Sequence, residues 1–234
     1  MNEFKYSGEE LHVFERAVNW KAYWVEKISP YMGKRILEIG AGIGSTTVAL
    51  KDFSFDYWVS VEPDALLCEK MANKQRLGII SNAVEIFNGT ASDLVYKNKF
   101  DTIIYIDVLE HIESDAAELR DVAKLLEEGG NIIILSPAHN FLFSPFDAKI
   151  GHYRRYNKKL LKSILPPGLS IQKIQYLDSV GFIASLANKM ILKQSDPLDS
   201  QIAFWDKAMV PISRILDRFI FYSAGKSILA VFQK

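Results

Sequence analysis

A chain of 234 residues, 49% hydrophobic and 24% charged, is long enough to bury one substantial core and too apolar to be disordered. Its 28 Lys and Arg balance 28 Asp and Glu, which excludes a global field favouring nucleic acid or an anionic membrane. One cysteine, Cys68, excludes an internal disulfide, and with no CxxC or Cys/His cluster no metal is expected.

The first residues, MNEFKYSGEE, have no basic region followed by an apolar run, so a signal peptide is not expected. No apolar stretch approaches the roughly 20 residues that span a bilayer. A cytoplasmic protein without stable membrane insertion is the expectation. Ser7 and Glu10 have capping-box spacing, and Leu11, Phe14, Val18, Ala22, Val25 and Ile28 recur at helical intervals. Residues 8–28 therefore read as one amphipathic helix closed by Pro30, either packed on the core or acting as a flap over a ligand site.

From Lys34 the chain alternates short β-rich runs with helical segments. Strands are expected at Arg35 to Ile39, Tyr57 to Val61, Ala83 to Phe87, Phe100 to Ile106 and Asn131 to Leu135. Helices are expected through Leu50, over Asp64 to Arg76, and over Glu113 to Leu126, the last stopped by Gly129-Gly130. Such alternation implies a parallel sheet covered on both faces, a doubly wound α/β domain. Further on, Asn157 to Leu165 reads as a helix, Leu169 to Leu177 as a strand and Ser227 to Phe232 as a final strand. Between those two strands, Leu198, Ile202, Trp205, Met209, Ile212, Leu216 and Phe219 form an apolar stripe interrupted by Pro211. The expected division is an N-terminal helical extension (1–33), a core (34–180), a helical insertion (181–224) and a last core strand (225–234).

Two features carry chemistry. The first strand ends in Glu38-Ile39-Gly40-Ala41-Gly42-Ile43-Gly44, where glycines let backbone approach a ligand. A dinucleotide site would want GxGxxG, but Ser45 stands at the third glycine's place and the run is GxGxG. The second strand ends in Val61-Glu62-Pro63, where an acid can accept two hydrogen bonds from a ribose diol, or simply sit in a solvated loop.

Glu38-x-Gly40-x-Gly42-x-Gly44 resembles the first motif of class I S-adenosylmethionine-dependent methyltransferases, and Glu62 matches their ribose-binding acid. Phe100-Asp101 with Asp107-Val108-Leu109-Glu110-His111-Ile112 resembles their fourth-strand segment, and Gly129-Gly130 with Ser136-Pro137 resembles their block around the fifth strand. The resemblance spans roughly residues 34 to 140, in family order. It implies a Rossmann-like seven-stranded sheet with its last strand antiparallel, and S-adenosylmethionine as cofactor. Carried over by position, it implies that Glu38, Gly40, Ala41, Gly42 and Gly44 face the methionine and ribose. Glu62 would hold the ribose hydroxyls, Pro63 and Asp64 would flank the adenine, and Asp107 would lie near the methionine end. Where relatives carry Gly-Asp-Ala, this chain has Gly89-Thr90-Ala91, which leaves the adenine partner open among Thr90, Ala91 and Asp93.

On the acceptor side, Ser136-Pro137-Ala138-His139-Asn140, Asp147 and Gly151-His152-Tyr153-Arg154-Arg155-Tyr156 resemble the ubiquinone-biosynthesis-like, small-molecule subset. Three of the four histidines lie here, and histidine has a pKa suited to proton transfer. His111 and His152 are the candidate catalytic groups, although each could equally hold a loop. His139, Arg154, Arg155 and Tyr156 are candidate acceptor contacts, with one arginine expected to bridge to Asp147 and the other to meet the acceptor. The expected function is methyl transfer to oxygen or nitrogen of a small molecule such as a sugar or aromatic metabolite, without nucleic acid. An NAD-dependent oxidoreductase or a non-catalytic binding subunit are the alternatives. The helical insertion packs on its own domain, caps the pocket, joins a homodimer or lies on a membrane. The first is the expectation, with Asp206 and Asp217 balancing Lys207, Arg214 and Arg218.

Overall fold

The computed structural model describes residues 11–94, 99–192 and 198–234. Its centre is a seven-stranded sheet ordered β3-β2-β1-β4-β5-β7-β6. The strands are β1 (Arg35–Ile39), β2 (Tyr57–Glu62), β3 (Val84–Asn88), β4 (Phe100–Ile106), β5 (Leu126–Pro137), β6 (Ser170–Leu177) and β7 (Ser227–Gln233). From β3 to β5 the neighbours run parallel, and β7 lies antiparallel between β5 and β6. Parallel strands buried on both faces need apolar residues at every position. Accordingly Leu37, Val59, Ile103 and Ile132 feed one core, while Ile36, Trp58, Ile104 and Ile133 feed the other.

The helices are α1 (Leu11–Phe14), α2 (Val18–Ile28), α3 (Ser45–Ala49), α4 (Ala65–Arg76), α5 (Asp115–Val122), α6 (Pro145–Lys149), α7 (Lys158–Ser163), α8 (Ser179–Ala187), α9 (Asp199–Phe204) and α10 (Val210–Phe219). Several begin where a side chain satisfies orphan amides: Asp64 accepts from Leu66 and Leu67, and Asn157 from Leu160. The order of strands reverses between β1 and β4, so the carboxyl ends there form the crevice in which ligands of such sheets sit.

Three expectations are corrected. The N-terminal helix is two pieces, α1 and α2, broken around Arg16-Ala17, and the Ser7 to Glu10 capping box lies outside the described residues. Helix α5 ends at Val122 because Leu126 already pairs with Phe100 in the sheet, so Gly129-Gly130 bend β5 instead of stopping a helix.

The third concerns the insertion. Its helices α9 and α10 join through a wider π turn, Trp205–Met209. They bury Ile202, Trp205, Val210, Ser213 and Asp217, while Leu198, Ile212, Leu216 and Phe219 of the apolar stripe are exposed. Polar anchors decide this orientation. Asp217 accepts from the Tyr23 hydroxyl (2.8 Å) and the amides of Asp178 (2.7 Å) and Ser179 (3.0 Å). Asp206 accepts from Asn19 and from the Trp20 amide (2.9 Å) at the start of α2. Both acids are buried, so neither balances the surface cations; Arg214 and Arg218 pair with Glu26. No helix among the described residues is long and apolar enough to cross a membrane.

Candidate active site

At the carboxyl edge of the sheet lies a cavity of about 950 Å³. Gly40, Ala41, Gly42 and Ile43 after β1 form one wall, and Asp107, Glu110 and His111 after β4 form the next. Residues from α6 and its loop, including Asp147, His152 and Arg155, close a third side; Trp205 and Lys226 close the back. Leu11, Phe14, Trp20 and Trp24 roof it, so the N-terminal helices both pack on the core and cover the site.

The glycine loop fits a ligand rather than a side chain. Gly40 has φ +66° and a Cβ there would stand 2.6 Å from Val108, so close approach of the β4 loop requires glycine. Gly42 has φ +58°, and an added Cβ would find nothing nearer than Leu11 at 3.8 Å, leaving the space above the loop open. Gly44 lies beneath, against Met71 and Ile80.

Glu38 is placed below the loop and not on the cavity wall. One of its oxygens accepts from Thr47 (2.7 Å), Ser60 (2.8 Å) and Trp58 (3.1 Å), and burial raises its pKa against those bonds. Glu62, buried at the end of β2, accepts from the amides of Gly42 (2.7 Å) and Asp64 (2.9 Å). Pro63 follows it, half-buried, and Asp64 spends its carboxylate capping α4. Asp93 folds back on Thr90, accepting from its amide (2.8 Å) and hydroxyl (2.6 Å), while Ala91 is buried.

The catalytic candidates do meet. The rings of His111 and His152 are 4.5 Å apart, edge to face. His152 Nδ1 lies 2.9 Å from Asp147, and its Nε2 lies 3.9 Å from Glu110. Arg155 grips Asp147 with two 2.9 Å bonds. Burial works against the Asp147 carboxylate, but His152 and Arg155 hold it well below its usual range. Burial lowers His111 to about 4, so its imidazole is neutral near pH 7. Burial pushes Asp107 up to about 6, against the pull of His152 and Lys226.

Glu110 went unremarked as a candidate in the sequence. It is fully buried, both carboxylate oxygens lack a hydrogen-bond partner, and burial then nearby Asp107 raise its pKa. Its position in the Asp107-to-Ile112 motif was the available signal. Ligand atoms of Glu110, His111 and His152 all lie within 4.8 Å of one another, a grouping able to hold a cation; His152 comes from a loop about forty residues after the other two, which is why sequence spacing showed no metal set.

The acceptor-side candidates divide differently from expectation. Arg155 is the arginine on Asp147, but Arg154 pairs with Asp115 (2.6 Å) and does not reach the cavity. Tyr156 is fully buried, with its hydroxyl on Asp115 (2.7 Å) and the Leu109 carbonyl (3.2 Å), so it braces the β4 loop and cannot stack on an acceptor. His139 packs among Tyr176, Phe182 and Phe141 off the cavity wall.

Comparison with known proteins adds three findings. A family model described as methyltransferase domain matches residues 12–185. Ajmaline N-methyltransferase of Rauvolfia serpentina is 26% identical over 197 residues, covering 82% of this chain and 62% of that enzyme. Norajmaline N-methyltransferase of the same plant is 30% identical over 135 residues, 56% of this chain and 44% of that enzyme. The chain thus spans less than two thirds of the length of these relatives. Coclaurine N-methyltransferase, solved with N-methylheliamine and SAH, superposes with TM-score 0.63 at 13% identity, covering 93% of this chain and 72% of that one.

Proposed function

The chain belongs to the class I, S-adenosylmethionine-dependent methyltransferase family, and from that premise we propose that it methylates the nitrogen of a small-molecule amine. The observation that carries this reading is Glu110: a fully buried carboxyl group with neither oxygen in a hydrogen bond, facing the cavity beside a neutral His111. An ammonium group is the partner that such an acidic pocket stabilises, through charge-assisted hydrogen bonds to Asp107 and Glu110. The N-methyltransferase names of the two plant relatives point the same way.

S-adenosylmethionine supplies an electrophilic methyl group. The chain's residues then have three tasks. The glycine loop and Glu62 hold the donor; the roof of Leu11, Phe14 and Trp20 excludes water. Glu110 and Asp107 draw the amine to the loop after β4, where proximity and orientation supply most of the rate. An ammonium has no lone pair to attack with, so a proton must leave the nitrogen; His111, neutral, or an ionised Asp107 receives it. His152, steadied by Asp147, fixes the edge of His111.

A homodimer through the insertion would use the exposed face of α10, where Ile212, Ile215, Leu216 and Phe219 stand at helical spacing.

The test is product formation. Purified protein with S-adenosylmethionine is offered matched aryl-alkyl amines and phenols, and methylated products are read by mass. Methylated amine, lost on Glu110→Gln, is the expected result. Methylation of phenols alone would replace nitrogen by oxygen, and SAH binding without any product would remove the activity.

A further inference from the structure

Besides its acidic side, the cavity has a cation that the donor site and the amine pocket leave unused. Lys226 immediately precedes β7. Because β7 enters the sheet antiparallel, with Ser227 opposite both Pro137 and Leu177, its beginning lies at the carboxyl edge of the other strands. The backbone of Lys226 is fixed there, its amide bonded to the Asp178 carbonyl (3.0 Å) and its carbonyl to the Ala138 amide (2.8 Å).

The side chain lines the cavity, with Nζ 4.8 Å from the centroid of the Trp205 ring. That indole is itself held, donating from Nε1 to Asp178 at 2.7 Å. The remaining capacity of the Asp178 carboxylate goes to Ser213 (2.6 Å) and the Gly181 amide (3.0 Å). So Asp178 holds the platform under the lysine and makes no ion pair with the lysine itself. Among the described residues, Nζ of Lys226 has no hydrogen bond and no ion pair. The other cations on the wall are occupied: Arg155 by Asp147, Lys21 by the Glu15 carbonyl, Lys189 by the Phe141 carbonyl.

A half-buried ammonium with no hydrogen bond or ion pair is open to an anion entering the cavity, and a cation–π contact orients it without neutralising it. Burial accordingly lowers its pKa, with Asp178 opposing. The cavity wall therefore carries a cation, Lys226, as well as the acids Asp107 and Glu110, with Lys226 and Asp107 near enough to act on each other's charge.

We propose that Lys226 binds an anionic group of the methyl acceptor, a carboxylate or equivalent oxyanion, so that the preferred acceptors are amines that also carry a negative charge. The assignment rests on the amine reading above, which supplies the other end of the molecule. Selection arises because a charged acceptor gives the ammonium a charge-assisted partner that a neutral one does not.

The experiment is calorimetric titration of the SAH-loaded protein with benzoate and with benzamide, its neutral analogue of similar shape. Benzoate is expected to bind at least about ten-fold tighter than benzamide to the wild type, with the preference abolished in Lys226→Met and largely kept in Lys226→Arg. SAH affinity, measured in each variant, reports the intact fold; Lys226→Gln replaces the methionine variant should that one lose SAH. Equal binding of the two probes by wild type, no binding of either, or a preference that survives Lys226→Met would overturn the assignment. Methylation of neutral amines without any benzoate preference would leave the amine reading standing and remove only Lys226. A failure of wild type to bind SAH would instead overturn the donor site.

Discussion

The amide of Gly42 donates to Glu62 Oε2 at 2.7 Å, tying the acid at the end of β2 to the loop after β1. The second oxygen of Glu62 takes the Asp64 amide at 2.9 Å, so one carboxylate sets the spacing of the loops after β1 and β2. Replacing Glu62 by Ala frees both amides and removes a partner for the ribose. S-adenosylmethionine affinity should fall by about 1–3 kcal/mol, the cost of losing charge-assisted bonds, as read by calorimetry. An unchanged affinity would remove Glu62 from the site.

Gly42→Val separates binding from folding. Nothing but Leu11 stands near the new Cβ, so the fold survives, at a cost of about 1–2 kcal/mol for a left-handed non-glycine residue. The space over the loop, however, is filled. Loss of S-adenosylmethionine binding with a cooperative melt is expected; retained binding would contradict the cradle.

His152→Ala should lower turnover much more than donor affinity, because His152 touches His111 and Asp147 on the acceptor side of the cavity. A loop-holding role alone would lower both together. Steady-state kinetics alongside SAH titration decide between them.

His111 gives a pH dependence of definite sign. Its pKa falls from 6.5 to about 4 on folding, so between those values the unfolded chain binds the proton and the folded chain does not. Its contribution to stability is complete above pH 6.5 and is lost as pH falls towards 4. Asp107 runs the other way, its pKa rising from 3.8 to about 6, so its contribution is lost as pH rises through that window. The two oppose each other in wild type. His111→Asn removes the first alone, and its melting temperature relative to wild type should improve steadily from pH 7 to pH 4. A constant difference would contradict the buried neutral imidazole.

Asp206→Ala tests the clamp between the insertion and α2. It strands the buried Trp20 amide, at roughly 1–3 kcal/mol for a buried donor left unpaired, and releases the exposed Asn19. A melting-temperature drop of several degrees, together with faster proteolysis within 181–224, is expected; wild-type stability would show that the clamp carries no load.

The sequence by itself determined the sheet and the glycine loop after β1. Strands such as Arg35–Ile39 and Phe100–Ile106 were legible to the residue because buried parallel strands demand short, continuous apolar runs. The positions of Gly40, Gly42 and Glu62 at the ends of β1 and β2 were legible because they follow from local spacing within one β-α-β unit. What depended on partners distant in the chain was decided by tertiary structure alone. Tyr156 read as an aromatic able to stack on a ligand, yet Asp115 and Leu109 claim it. The apolar stripe of α10 read as a core face, yet Tyr23 and the amides of Asp178 and Ser179 bind Asp217 and turn the stripe outward. Lys226 lies in no motif, and the antiparallel insertion of β7 is what places it at the carboxyl edge of the sheet. The physical reason is the same in each case: local propensity and periodicity are written along the chain, whereas a buried charge or hydroxyl settles wherever folding brings it a partner, and no local pattern encodes that partner.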